Sequence, residues 1–240
     1  MFADGAGTTT KMVPEVNGGH ILAIYGDYVE VFSKAKAETL PPHQSTDPAI
    51  ELESGYNWPY GRIYNLSEFE LRTLKAYIEA SLVNGFTQLW SSPAVATILF
   101  GTKTERGLRL CVDCCVLNPA MVRNLFPLPS IPEMLDHECE ARIFMELNLR
   151  VAWNIIRIKE GDEYKTAFQT HYSQFEYQVM PFCQTNTIAT FKSYIDDSLR
   201  PYIDRFAACY LNAILIFWAN EKQHKEHVHE MLQQLTEFGL

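Results

Sequence analysis

Phe206-Ala207-Ala208-Cys209-Tyr210-Leu211-Asn212-Ala213-Ile214-Leu215-Ile216-Phe217-Trp218 is an apolar run broken only at Asn212-Ala213. A run of this kind reads as two buried strands joined by a tight turn. On its N-terminal side Ile188, Phe191, Ile195 and Leu199 recur at helical spacing. On its C-terminal side Val228, Met231, Leu232, Leu235 and Phe238 do the same. A buried hairpin between two amphipathic helices predicts an α+β fold, with an antiparallel sheet covered on one face by helices.

Further upstream, Arg142 to Leu149, Trp153 to Ile158, Lys165 to Thr170 and Phe175 to Val179 read as strands. Ala96 to Phe100 and Leu108 to Asp113, separated by Thr104-Glu105-Arg106-Gly107, read as a hairpin. Ser67 with Glu70 three residues on forms a capping box, followed by Leu71, Leu74, Ile78 and Leu82 at helical spacing and Gly85 as the stop. Ser130 and Glu133 repeat that box before Met134 and Leu135. Residues 1 to about 60 carry Gly, Thr, acids and Leu40-Pro41-Pro42-His43, and read as an extended connector of little independent stability, with one short amphipathic piece from Tyr28 to Phe32.

With 240 residues, 47% of them hydrophobic, the chain is long and apolar enough for a packed core. Its net charge of -9 argues against strong non-specific nucleic-acid binding. About half of that excess lies in residues 1–61, however. The remainder carries interspersed Arg106, Arg109, Arg123, Arg142, Arg150 and Arg157, available to line a groove. The six cysteines fall in apolar or strand-like stretches, which predicts free thiols in a reducing compartment rather than a secreted disulfide framework. A signal-peptide pattern and a bilayer-length apolar stretch are both lacking, so the sequence is of an intracellular, soluble kind with no membrane partner.

A collinear series of motifs runs through the chain: Tyr64-Asn65-Leu66-Ser67-Glu68, Ser92-Pro93-Ala94, Leu108-Arg109-Leu110-Cys111-Val112-Asp113, Leu117-Asn118, Phe126-Pro127-Leu128-Pro129, Ile158-Lys159-Glu160-Gly161-Asp162-Glu163, Lys165-Thr166-Ala167-Phe168, Phe175-Glu176-Tyr177, Val179-Met180-Pro181-Phe182, Thr185-Asn186, Ala189-Thr190-Phe191 and Tyr210-Leu211 followed by Ile214-Leu215-Ile216. From Ile50 onward this series resembles the reverse transcriptase of gypsy-type long-terminal-repeat retrotransposons. The resemblance implies a right-hand polymerase fold: a connector over 1–61, fingers over 62–122 and 155–186, and an incomplete palm over 123–154 and 187–240. It also implies that thumb, connection and ribonuclease H lie outside this sequence.

Nucleotide addition in that family uses two divalent ions about 3.5–4 Å apart, magnesium or manganese, held by anionic oxygens. The resemblance places those oxygens on an aspartate in a Leu-Asp-Leu strand and a pair in a Tyr-x-Asp-Asp hairpin. This chain reads Leu147-Asn148-Leu149 and Tyr210-Leu211-Asn212-Ala213. Two neutral amides and a methyl cannot offset dehydration of two dications, so no metal cofactor and no polymerase activity are expected. Arg109, Lys103 and Asp113 correspond to the triphosphate-gripping fingers, Ala152 and Trp153 stand where the family has Ala-Tyr at its ribose-sensing aromatic, and Phe182 belongs to the Met-Pro-Phe motif. Further departures are Val151 for aspartate, Cys114-Cys115 for Tyr-Arg, Cys183 for glycine and Thr187-Ile188 for Ala-Pro. Partners implied are a weakly held RNA–DNA or RNA template-primer, or an intact reverse transcriptase subunit.

Four other groupings have plainer readings. Tyr194-Ile195-Asp196-Asp197 matches the hairpin motif by letter but sits at helical period, on a solvated face. Cys111, Cys114 and Cys115 on a strand predict free thiols rather than a zinc site. His224, His227 and His229 are expected on a solvated helix surface. Glu146 shares a strand face with Asn148 and is expected in a surface ion pair with Arg142.

Overall fold

The computed structural model describes residues 23–44, 46–55, 60–91, 95–102, 107–127, 141–149, 152–203 and 205–239. In chain order the elements are α1 (Lys34–Ala37), α2 (Glu68–Val83), β1 (Thr87–Leu89), β2 (Ile98–Thr102), β3 (Leu108–Val112), β4 (Ile143–Asn148), β5 (Phe168–Gln169), β6 (Gln174–Tyr177), α3 (Thr187–Leu199), β7 (Ala207–Tyr210), β8 (Ala213–Trp218) and α4 (Glu221–Phe238). Short 3-10 turns cover Ala23–Phe32, Asn118–Ala120, Ala152–Ile155 and Glu163–Thr166. The chain divides into two compact units. One gathers Met1–Glu38, Phe126–Ala152 and Phe191–Leu240; the other gathers Thr39–Leu125 and Trp153–Thr190.

The first unit is built on a three-stranded antiparallel sheet of order β4-β8-β7. Alternation along the strands buries Leu147, Ile214, Ile216, Ala207 and Cys209 on one face. Phe191, Ile195 and Leu199 of α3 and Val228, Met231, Leu232 and Leu235 of α4 are buried with them. Each such aliphatic or aromatic side chain contributes about 1.5–3 kcal/mol by leaving water. Asn220 caps α4 by accepting hydrogen bonds from the Lys222 and Gln223 backbone N–H groups. Tyr202 Oη donates to Gln234 Oε1 at 3.2 Å and Gln234 Nε2 to the Ser198 carbonyl at 3.0 Å, tying α4 to the end of α3. The connector is less extended than its composition predicts. Residues 23–32 form 3-10 turns broken by non-helical dihedrals at Tyr25 and Tyr28, and α1 follows, with Tyr25 buried and its ring 5.1 Å from that of His229 on α4.

The second unit holds the antiparallel hairpin β2-β3, with Ile98 opposite Val112, and a small sheet of order β1-β6-β5. Its core joins Leu74 and Ile78 of α2 to Ile98, Val112, Ile158, Phe168, Phe175 and Tyr177. Both halves of the Ser67 and Glu70 capping box are present. Gly85 lies at φ 74°, where an L side chain is strained, and an added Cβ would come within 3.2 Å of Leu40.

Two strand expectations are corrected here. Trp153 to Ile158 is a 3-10 turn followed by a single bridge between Arg157 and Val179, because a short apolar run without alternation does not specify a ladder. Lys165 to Thr170 begins as a 3-10 turn, since Thr166 Oγ1 donates to the Glu163 carbonyl at 2.7 Å and the strand starts only at Phe168. The Ser130 and Glu133 capping box lies outside the described residues.

Candidate functional site

In the first unit, Tyr210 pairs with Ala213 across β7 and β8, so Leu211 and Asn212 form a two-residue loop. Leu211 is left-handed, at φ 54°. Two-residue hairpin turns need that conformation, and glycine adopts it without the steric penalty a leucine carries, about 1–2 kcal/mol. Contacts with β4 hold the loop. The Leu149 N–H donates to the Asn212 carbonyl at 2.8 Å, and Asn212 Nδ2 donates to Asn148 Oδ1 at 2.5 Å. Asn148 stands directly opposite Ala213 in the β4-β8 ladder. Asn148, Asn212 and Ala213 therefore meet at one end of the sheet, with two amides engaged on each other and a methyl group beside them.

That end carries no anionic oxygen at the three positions. Glu146, two residues along the exposed face from Asn148, is displaced by roughly 6.6 Å at strand spacing and is exposed. It forms no ion pair among the described residues, so the pairing expected with Arg142 is not made. No group of three or more His, Cys, Asp or Glu able to hold a metal occurs among the described residues. The donor set does not fit the two divalent ions of the polymerase reaction. Below the turn, the Cys209 thiol donates to the Leu211 carbonyl at 3.5 Å, and burial pushes its pKa up to about 12. Asp196 and Asp197 lie on α3, paired with Lys192 and Arg200 as helix neighbours, not at a hairpin tip.

In the second unit, Arg109 is exposed on β3 with no ion-pair partner among the described residues. Lys103, Arg106 and Arg150 lie outside the described residues. The Asp113 carboxylate accepts the Cys115 N–H at 3.0 Å, and hydrogen bonds from Cys115 hold it below the usual carboxylate range. Trp153 and Phe182 come together with ring centroids 5.4 Å apart, Phe182 being exposed. Ala152, assigned to the first unit, is buried.

Several expectations change. Arg157 lines no groove: it is buried, donating to the Pro41 carbonyl at 3.2 Å, to His43 Nε2 at 2.6 Å and to Gln178 Oε1 at 3.1 Å. His43 Nδ1 lies 2.5 Å from Asp47 Oδ2, so the imidazole links the Asp47 carboxylate to the guanidinium. Asp162 and Lys165 clamp Ile50: Asp162 Oδ2 accepts its N–H at 2.7 Å, and Lys165 Nζ donates to its carbonyl at 2.7 Å. Cys114 and Cys183 are not free thiols but a disulfide, while Cys111, Cys115 and Cys209 are free. The α4 histidines are not a solvated surface. His224 is buried with Nε2 3.3 Å from the Ile216 carbonyl, and His227 stacks on Phe206 at 4.0 Å and meets Trp218 edge-on at 4.7 Å. Burial lowers the pKa of both. Sequence periodicity places these residues on α4 but cannot say that aromatic partners from other elements cover them.

The strand order, the hairpin and the covering helices define a right-hand polymerase fold of the α+β class. Residues 101–240 match the family Reverse transcriptase (RNA-dependent DNA polymerase), and the chain belongs to that family. It is 31% identical over 219 residues to the Transposon Tf2-3 and Tf2-4 polyproteins of Schizosaccharomyces pombe, a match covering 90% of this chain and 16% of each relative. The chain thus spans about one sixth of the length of those curated relatives. Its fold is similar to that of native prototype foamy virus protease-reverse transcriptase, with a TM-score of 0.70 and 15% identity over 89% of this chain and 28% of that one. The foamy viral enzyme in complex with an RNA/DNA hybrid gives a TM-score of 0.68 and 16% identity over 85% and 28% of the two chains.

Proposed function

We propose that this chain is a degenerate reverse transcriptase domain of a gypsy-type retrotransposon polyprotein, with the first unit acting as palm and the second as fingers, and without polymerase activity. The observation that supports this is the amide contact between Asn212 and Asn148 beside Ala213. Polymerase chemistry needs three carboxylates at that end to hold two cations. Neutral groups engaged on each other leave nothing to offset ion dehydration. Primer extension on an RNA template with magnesium or manganese tests the reading: no incorporation above a no-protein control is expected. Incorporation that Glu146→Gln abolishes would show that another carboxylate serves the site.

A second reading is supported by Arg109, an exposed guanidinium with no ion-pair partner among the described residues. The fingers retain a phosphate-attracting group, so the domain binds template-primer duplex weakly or accompanies an intact reverse transcriptase. Duplex affinity should fall steeply with salt and drop further in Arg109→Ala with Lys103→Ala. Salt-independent binding rejects this role.

A further inference from the structure

In the second unit, the loop following β3 and the turn at 181–186 are joined by two carboxamides. Asn118 Nδ2 donates to the Cys183 carbonyl at 3.0 Å while its Oδ1 accepts the Thr185 N–H at 2.9 Å. Asn186 does the same in the other direction, donating to the Val122 carbonyl at 2.7 Å and accepting the Asn124 N–H at 3.0 Å. These four hydrogen bonds hold Cys183 against Cys114, with their Cα atoms 5.8 Å apart and their sulfurs bonded. A cleft lined by Asp113, Lys165, Pro181 and Gln184 opens on both cysteines. Cys183 is half-buried and Cys114 buried, so an outside reagent meets Cys183 first.

We propose that Cys114 and Cys183 form a thiol–disulfide exchange site whose co-reactants are low-molecular-weight thiols and their disulfides. In the oxidising direction, the Cys183 thiolate attacks one sulfur of the small disulfide and releases one small thiolate. The Cys114 thiolate then attacks the Cys183 sulfur of the mixed disulfide and expels the second. The two cysteines give up two electrons and two protons, and the small disulfide becomes two thiols.

Two features suit the pair to reversible exchange rather than permanent stapling. The amide bonds keep both segments docked whether or not the sulfurs are joined, so opening the bond does not separate them and the effective thiol concentration stays high. The neighbouring Cys115 is kept out of the exchange. Its thiol donates to Asp113, and that hydrogen bond, with the carboxylate's charge behind it, raises its pKa and disfavours the thiolate.

The test is the whole chain equilibrated across a series of glutathione redox ratios, quenched with acid, alkylated and peptide-mapped. A Cys114–Cys183 cross-link that disappears toward reducing ratios, with Cys115 alkylated throughout, is expected. Asn118→Ala should weaken the equilibrium for bond formation about tenfold, the effect of losing one or two hydrogen bonds that preorganise the thiols. Cys183→Ser should remove the cross-link while leaving the circular dichroism spectrum in reducing buffer unchanged. Alkylation of both cysteines at every ratio, a Cys115–Cys183 link instead, or an unchanged midpoint in folded Asn118→Ala overturns the proposal. The map of the unaltered chain decides the matter even where a variant fails to fold.

Discussion

The tip of the β7-β8 hairpin in the first unit and the connector anchors of the second unit treat charge in opposite ways. At the tip, three positions that the family resemblance assigns to aspartate hold two amides and a methyl group, close enough to hydrogen-bond. At the anchors, Asp162 and Lys165 grip both polar atoms of Ile50, and the two terminal nitrogens of Arg157 donate to Pro41, His43 and Gln178 while its buried Nε is left without a partner. The anchor charges are enclosed, and deleting one strands its partners in a medium of low dielectric. At the tip Asn148 and Leu211 are exposed and Asn212 and Ala213 half-buried, and the contacts there are made by neutral groups. Charge is held where the protein's own packing engages it, and neutral groups suffice at the tip.

The strongest way to break that contrast is to restore the tip. Asn148→Asp, Asn212→Asp and Ala213→Asp together should lower stability in EDTA through like-charge repulsion and recover it with magnesium, by about 2.7 kcal/mol at a hundredfold excess over Kd. The unaltered chain should show no magnesium-dependent change in Tm. An equal response in both would remove the contrast. At the anchors, Arg157→Ala should cost about 3 kcal/mol in chemical denaturation, with increased hydrogen exchange in 39–47, because His43 and Gln178 lose a buried partner. A loss within experimental error would make the anchor dispensable too.

The units also differ in their response to acid. Burial lowers the pKa of His224 and His227 in the first unit, so their neutral forms are favoured on folding. Their contribution is complete above the unfolded value of about 6.5 and is lost as pH falls through the folded values. In the second unit, burial raises the pKa of Glu176, despite the hydrogen bond from Gln88. Its contribution is present below the unfolded carboxylate range and is lost as pH rises through the folded value. Hydrogen exchange between pH 5 and 7.5 should show protection falling with acid around α4 and rising with acid around β1 and β6, and His227→Phe should flatten the first trend. The smallest effect belongs to Leu211→Gly, which should stabilise the chain by up to about 1 kcal/mol by relieving the left-handed leucine. A loss of stability there would mean that the Leu211 side chain packs more than its exposure indicates.

Much of the architecture is legible in local pattern. The buried run at Phe206 to Trp218, the helical spacing in α2, α3 and α4 and the Ser67 and Glu70 box all specify their elements through contacts within a few residues. The helical letters around Tyr194-Ile195-Asp196-Asp197 likewise exclude it as a hairpin. Illegible features depend on partners distant in sequence. Arg157 reaches a connector more than a hundred residues upstream, Cys114 meets Cys183, and His227 is enclosed by Phe206 and Trp218. Nothing in the local sequence of a histidine on a charged helix announces an aromatic sandwich. At the hairpin tip, the family resemblance singles out Asn148, Asn212 and Ala213, whereas the hydrogen bond between the two asparagines is visible only in three dimensions.

The anchoring of Ile50 and of Pro41 to His43 has a practical consequence for anyone trimming this chain to a minimal fragment. Motif boundaries invite a cut near residue 60, since the preceding stretch looks like dispensable tether. Such a cut would discard the carbonyl, the imidazole and the peptide group that complete the surroundings of Arg157, Asp162 and Lys165. Fragments beginning upstream of Pro41 should express as well-behaved protein, and those beginning after Ile50 should be recovered mainly from inclusion bodies.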